Sequence, residues 1–338
     1  MPSAEPAPRV DPTRSDPSII HLYRPQNQLG DLLLNVPAIR SIRERYPRAR
    51  LVLVVGRQNA AAVLGQRWAD EIRVVDTRNF LGVARGGIRG LSGPRPDLAV
   101  YFTTVSYSRS AGMLARWSRA RERVGFDPAW YRERDRAGLT RAVPFPEPSG
   151  PIHQSDVSLL LAREAGAGAR PDPPYYIADP PLLDRAPRGA VYIHPGAGKH
   201  KNRWPADRFA AVARDLAGRG HPVWWLAGPQ DSGTVEAAAA SLGKSLPVVR
   251  GESIPMLAGR FARAALYVGN DTGPLHLAGA VGCPTVGVYG WTDPAEWRPV
   301  GRCVRGVRAA DGILESVAPR EVLDAALPLL AEERCAVG

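Results

Sequence analysis

Lysine is almost missing from this 338-residue chain: Lys199, Lys201 and Lys244 are the only three, against forty-one arginines. Cysteine is equally scarce. Cys283, Cys303 and Cys335 are odd in number and far apart, which fits neither a disulfide framework nor a zinc site and predicts reduced thiols in a cytoplasmic setting. No apolar run approaches the ~18–20 residues of a membrane-spanning helix. The first eighteen residues hold five prolines and both signs of charge but no apolar stretch. A signal peptide or anchor is therefore not expected, and residues 1–17 read as a disordered tail. No Asp-x-Asp occurs, so the usual metal-bridged diphosphate arrangement lacks its ligands. HExxH, GxSxG and Cys-based metal motifs are also absent, and neither metal nor cofactor is expected. Zinc-finger spacing, RNP-like aromatic strands and basic heptads are missing too, which excludes nucleic acid as the expected partner.

What is present is a soluble α/β composition: 44% hydrophobic, 23% charged, mean hydropathy −0.21. The net charge of +11 is unevenly placed. Residues 1–172 carry 26 arginines and 17 acids, net +9, whereas residues 173–338 carry 18 basic and 16 acidic residues, net +2. A field of that sign attracts anionic partners such as a phosphorylated substrate or lipid headgroups. An arginine-rich composition without functional meaning is the competing explanation.

Apolar runs of four to seven residues alternate with amphipathic stretches of ten to sixteen, the rhythm of βαβ units and parallel sheets. In the first half strands are expected at 19–23, 51–55, 72–75, 98–102 and 123–125, with helices near 31–46, 59–66 and 108–120. Segment 82–96, rich in Gly, Arg and Pro, reads as a mobile loop. Residues 142–181 hold two proline clusters around one helix, 155–164, and read as an interdomain connection. The second half expects strands at 190–194, 223–227, 247–249, 266–268 and 285–289, and helices near 206–219, 234–242, 255–264 and 274–281. The division is a first domain over 18–172, a second over 173–319, and a last helix within 320–338 that packs back onto the first domain. The expected architecture is two doubly wound Rossmann-like domains facing a central cleft, with ligands at the loops after strands.

Three such loops carry chemistry. In RPQNQLGDLLLNVPAIRSI, Asp31 stands at the start of a helix whose buried face is Leu32, Leu33, Val36, Ile39 and Ile42. It either caps that helix or serves as a general base, while Gly30 allows a sugar to approach closely. In HPGAGKHKNRWP, Gly196 and Gly198 free backbone N–H groups to face an anion, and Lys199, Lys201 and Arg203 supply charge. The spacing is not that of a P-loop, and an ordinary glycine turn is the alternative. In VGNDTGPLHLAGAVGCPTVGVYGWTDP, Thr272 and Gly273 open a helix that has Pro274 in its first turn. That is a ready pyrophosphate site, with His276 one turn on; the alternative is a capping Asp271 or Thr272 and a packed imidazole. The stretch 108–123, with Met113, Leu114 and Trp117 opposite arginines, is read as core packing in preference to a membrane-surface helix.

These three segments resemble glycosyltransferase family nine, the family of ADP-heptose:lipopolysaccharide heptosyltransferases, in order and spacing over about residues 18–330. The Asn-Asp-Thr-Gly-Pro-x-His block, the following Gly-x-Thr-Asp-Pro and the early Leu-Gly-Asp carry the resemblance. It implies a GT-B fold and an inverting, metal-independent transfer of a sugar, expected to be heptose, from a nucleotide-sugar such as ADP-heptose. It implies an anionic lipopolysaccharide-core or related glycolipid acceptor, and a cytoplasmic protein in peripheral contact with the inner-membrane surface. By position, Asp31 would be the base. Asp271, Thr272, Gly273 and His276 would hold the ribose-diphosphate end, Gly196 and Ala197 would meet phosphates by backbone N–H, and Gln230 and Asp231 fall where a ribose contact is common. The family commonly has a lysine two residues before the Trp-Pro pair. Here that residue is Asn202, so Lys199, Lys201, Asn202 and Arg203 share the candidacy for the diphosphate. The basic first domain supplies Arg57, Arg85, Arg89 and Arg109, with Gly30, as acceptor contacts. Two other readings are kept: a catalytically inactive nucleotide-sugar-binding subunit, and a GT-B-like sugar-nucleotide epimerase.

Overall fold

Short runs of Val, Ile and Leu form parallel strands, most of them buried on both faces, and helices cover the two faces of each sheet. The structure, a computed structural model, describes residues 15–78, 82, 84, 94–105, 108–132, 138–146, 150–183, 186–229 and 231–332. The expected tail lies almost wholly outside the described residues, as does most of segment 82–96. The chain divides into two units, residues 1–171 and 172–338.

The first unit runs β1 (Ile19–Arg24), α1 (Leu29–Arg45), β2 (Arg50–Gly56), α2 (Ala60–Val63), β3 (Glu71–Val75), β4 (Leu98–Tyr101), α3 (Arg109–Trp117), β5 (Glu122–Phe126), β6 (Arg141–Val143) and α4 (Gln154–Glu164). The second runs α5 (Pro180–Leu183), β7 (Val191–His194), α6 (Ala206–Gly218), β8 (Val223–Ala227), α7 (Ser232–Leu242), β9 (Val248–Arg250), α8 (Ile254–Phe261), β10 (Leu266–Asn270), α9 (Gly273–Val281), β11 (Thr285–Tyr289), α10 (Pro294–Trp297), β12 (Val304–Arg308) and α11 (Pro319–Ala331).

The sheets are ordered β3-β2-β1-β4-β5-β6 and β12-β11-β10-β7-β8-β9. Counted from each unit's own first strand, both are the Rossmann order 3-2-1-4-5-6. Strand order therefore reverses between β1 and β4 in one sheet and between β7 and β10 in the other. Ligands of such sheets bind at those reversals, outside the carboxyl ends of the strands.

Packing fixes the elements that carry the loops. In the first unit α1 lies along α4, where Asn35 Nδ2 donates to Ser158 Oγ (2.5 Å) and the Tyr46 hydroxyl donates to the Ala165 carbonyl (2.8 Å). On the opposite face Leu114 of α3 is buried with Tyr23, Val54 and Tyr101, and Met113 and Trp117 pack against that cluster. The amphipathic stretch thus covers its own sheet.

Two expectations need correction. The last helix does not reserve its apolar face for the first domain: Val322, Leu323, Ala326 and Leu329 of α11 are buried with Val286, Val288 and Leu216 in the second unit's core. The cysteines are not all reduced, since Cys303 is disulfide-bonded while Cys283 is free and buried. α11 returns the chain to the strand that follows Cys303, as the 3.3 Å contact between Arg305 and Glu332 shows.

Candidate functional site

Asp31 is the third residue of α1, and its neighbour is a residue the sequence motifs do not single out. Arg24, the last residue of β1, is 3% exposed, and its Nη2 donates to Asp31 Oδ2 at 2.9 Å. Burial pushes the Arg24 pKa down, and Asp31 opposes that shift by charge and hydrogen bond. Arg24 Nε is buried with no partner. Asp31 thus spends one oxygen on Arg24, makes no hydrogen bond to the helix N-terminus, and keeps a partly exposed side chain. As an acid in the first turn of α1 it still complements the positive end of the helix dipole. The loop that aims it is tied from β2's side: Asn59 Nδ2 donates to the Gln26 and Gln28 carbonyls (3.0 and 3.3 Å) and Gln58 N to Asn27 Oδ1 (3.2 Å). Gly56 is required there, because a Cβ would stand 2.3 Å from Asn27 Oδ1 and 2.5 Å from the Pro25 carbonyl oxygen.

Gly30 lies beside Asp31 on the first turn of α1. Arg57, at the end of β2, is exposed and shares Asp76 with Arg78, at 3.3 and 2.7 Å. These guanidinium groups hold the Asp76 carboxyl well below the usual range, so part of the Arg57 charge is already spent. Arg85, Arg89 and Gln230, and the side chain of Arg109, lie outside the described residues.

In the second unit the fold brings together two motifs about 75 residues apart. β7 and β10 are neighbours, with His194 opposite Gly269. Asn270, fully buried at the end of β10, donates from Nδ2 to the Pro195 and Gly196 carbonyls (3.0 and 3.2 Å), and its Oδ1 accepts from Trp204 N (3.0 Å). Its whole amide is used to hold the Gly196 loop against Thr272.

Beneath that loop Asp231 is 6% exposed; its Oδ2 accepts from Gly228 N (2.9 Å) and lies 2.9 Å from His194 Nε2. The hydrogen bond from His194 draws the Asp231 pKa down. His194 Nε2–H donates to the carboxylate, which leaves Nδ1 to accept from the Tyr267 hydroxyl (3.1 Å), itself hydrogen-bonded to Thr272. A buried line Asp231–His194–Tyr267–Thr272 therefore joins both loops. Asp231 props the loop, and it does not stand open as a ribose contact would.

Thr272 is the N-cap of α9 and makes no side-chain cap bond, so the first N–H groups from Gly273 onward are not capped by it. His276 is 4% exposed, with Nε2 3.4 Å from Asp271 Oδ1; Thr292 Oγ1 donates to Asp271 Oδ2 at 2.9 Å. Asp271 is thus gripped from α9 and from the turn after β11. On that turn Trp291, 55% exposed, donates from Nε1 to Asn202 Oδ1 (2.9 Å) and carries Lys201 Nζ 3.7 Å above its ring. Arg203 donates to the Ala197 carbonyl (2.8 Å), and Lys199 is exposed. Among the described residues no group of three or more His, Cys, Asp or Glu side chains is placed to hold a metal ion. Nor is any helix there long and apolar enough to cross a membrane.

The model of glycosyltransferase family 9 (heptosyltransferase) matches residues 152–322. The chain belongs to glycosyltransferase family 9. Lipopolysaccharide heptosyltransferase 3 of Escherichia coli is 26% identical over 300 residues, covering 80% of this chain and 83% of that one. A family 9 glycosyltransferase from Veillonella parvula superposes with a TM-score of 0.82 at 19% identity, over 94% and 98% of the two chains. E. coli ADP-heptose lps heptosyltransferase II gives 0.76 at 19% identity, over 93% and 99%. The two Rossmann-like units are those of the GT-B fold shared by these family 9 structures, and the protein is a glycosyltransferase.

Proposed function

We propose that this family 9 enzyme transfers heptose from ADP-heptose to an anionic lipopolysaccharide-core acceptor, with inversion, without a metal, and with Asp31 as general base. The observation that carries the reading is the Arg24–Asp31 pair at the reversal of the first sheet. Arg24 fixes the carboxylate through Oδ2, leaving Oδ1 for the acceptor hydroxyl. That oxygen takes the hydroxyl proton while the acceptor oxygen attacks the anomeric carbon opposite the diphosphate. The bond from that carbon to the diphosphate oxygen breaks, and ADP leaves with its electron pair. The configuration inverts because one displacement occurs on the far face.

Charge gathering on the departing diphosphate is met by the uncapped N–H groups of α9 and by Lys199 or Lys201. This set takes the place of a divalent cation. The donor is taken from the description of E. coli ADP-heptose lps heptosyltransferase II, and the lipopolysaccharide acceptor from that protein and from lipopolysaccharide heptosyltransferase 3. The acceptor's lipid places the reaction at the cytoplasmic face of the inner membrane, with the protein held there peripherally.

The test is ADP release from ADP-heptose with and without lipopolysaccharide-core acceptor, in EDTA, with the anomeric configuration of the product read by NMR. Acceptor-dependent release that survives EDTA and gives the inverted linkage is expected. Release independent of acceptor, retention of configuration, or a strict need for Mg²⁺ or Mn²⁺ overturns it.

A further inference from the structure

An aromatic platform stands on the edge of the first sheet that carries Asp31, and nothing in the reading above uses it. After β5 the chain makes a single 3₁₀ turn, Pro128–Tyr131, opened by Asp127, whose side chain accepts from Ala129 N. The turn ends at Arg132 with φ +60°, so the direction of Trp130 and Tyr131 is set by the backbone. Tyr131 turns inward: its hydroxyl donates to the Thr103 carbonyl (2.5 Å), just after β4, and it lies within electrostatic reach of Arg24. Trp130 turns outward and is 47% exposed.

Trp130 is not loose. Its ring lies flat on Phe145, just past β6, with centroids 4.6 Å apart and planes 9° apart. Phe145 is held in turn by Phe126 (4.8 Å, tilted) and by the edge of Tyr131 (6.3 Å). Phe145, itself held by two rings, thus supports the indole, which stays 47% exposed. Exposing so large a ring forfeits burial that a surface residue gains by turning inward, and holding it rigid removes the entropy cost of ordering it on a ligand. Both features suit a contact surface.

The geometry points to Trp130, backed by Phe145, as a stacking platform for a sugar ring of the acceptor, one to two residues away from the hydroxyl that Asp31 deprotonates. This rests on the reading of Asp31 as base. Trp130 follows β5, two strands from β1, and neighbouring strands are about 4.8 Å apart, so the indole is on the order of 10 Å along the edge from the Arg24–Asp31 pair. That offset matches the span of one or two pyranose rings. A pyranose has an apolar C–H face that lies on an indole, while its hydroxyls remain free for water. The platform thus selects a saccharide acceptor, whatever lipid it carries.

The experiment titrates lipid-free lipopolysaccharide-core oligosaccharide into the full chain, into Trp130→Ala and into Trp130→Phe, by calorimetry without donor. Trp130→Ala is expected to weaken binding about three- to tenfold, the scale of one aromatic stacking contact, and Trp130→Phe to recover much of it. ADP affinity and the unfolding temperature should stay put in both. Equal affinities in all three proteins, or no binding by the unsubstituted chain, overturn the platform. So does an effect confined to acylated acceptor, which would make the indole a lipid contact. If the unsubstituted chain binds the oligosaccharide through Trp130 but transfers no heptose to it, the proposed function fails and the platform stands.

Discussion

Gly196 lies so close over Asp231 that a Cβ on the glycine would stand 2.0 Å from the aspartate Cγ. The loop assigned to the donor phosphates is therefore seated on a carboxylate, and only a residue without a side chain fits. Gly196→Ala must lift the loop or displace Asp231 from His194. Overpacking of this kind costs about 1–3 kcal/mol. ADP affinity is expected to fall roughly tenfold or more by calorimetry. Unchanged ADP binding in a protein with a lowered unfolding temperature would move the phosphate contact off this loop.

Asp31→Asn separates the base from the ion-pair partner. The asparagine carbonyl can still accept from Arg24, so the protein folds, at a cost of about 1–3 kcal/mol for the weakened bond to a buried charge. Turnover should fall about a hundredfold or more with donor affinity unchanged. A stability loss of that size with near-normal turnover would leave Asp31 as the structural partner of Arg24 only.

Each of three diphosphate candidates already has a neighbour: Asn202 Oδ1 is bonded to Trp291, Arg203 Nε to the Ala197 carbonyl, and Lys201 lies over the Trp291 ring. Lys199→Met and Lys201→Met are each expected to weaken ADP about three- to tenfold and to flatten its salt dependence. Arg203→Met should instead lower the unfolding temperature, since it frees the loop. If neither lysine substitution changes ADP affinity at low salt, the diphosphate is met by backbone N–H groups alone.

His21 supplies a pH signature. Burial, then the charge of Arg73, holds its pKa at about 4, below the ordinary 6.5. The unfolded chain therefore takes up the proton first as pH falls. Stability is full above about pH 6.5 and declines toward pH 4, by up to about 3 kcal/mol. Urea midpoints between pH 4 and 7 should show that slope, and His21→Gln should remove its share. An equal slope in both proteins would assign the acid sensitivity to other groups.

The parallel strands were legible because the central ones are short, uniformly apolar and separated by amphipathic helices. β12 was not: its sequence, Val-Arg-Gly-Val-Arg, belongs to a largely exposed edge strand, and such strands carry charge that hides them. β6 has three residues and no periodicity to read. The loops after β1, β7 and β10 stood out as site candidates through their Gly, Asp and Thr content. Arg24 did not, since an arginine ending an apolar strand says nothing of a carboxylate seven residues on. Asn270 looked like part of a ligand motif, yet its amide is fully spent on the neighbouring loop. The destination of α11 was hidden because sequence spacing does not show where a helix folds back.

The placement of α11 bears on how the protein is made. Four of its side chains belong to the second unit's core, so that core cannot close until the final thirteen-residue helix has been synthesised. The described core cluster of the first unit, by contrast, draws on residues no later than Leu139, so that cluster can form while synthesis continues. For the whole of that interval the second sheet has an open apolar face. A chain cut short before residue 319 should be cleared by proteases or chaperones, even though every residue proposed to touch a substrate would already be in it.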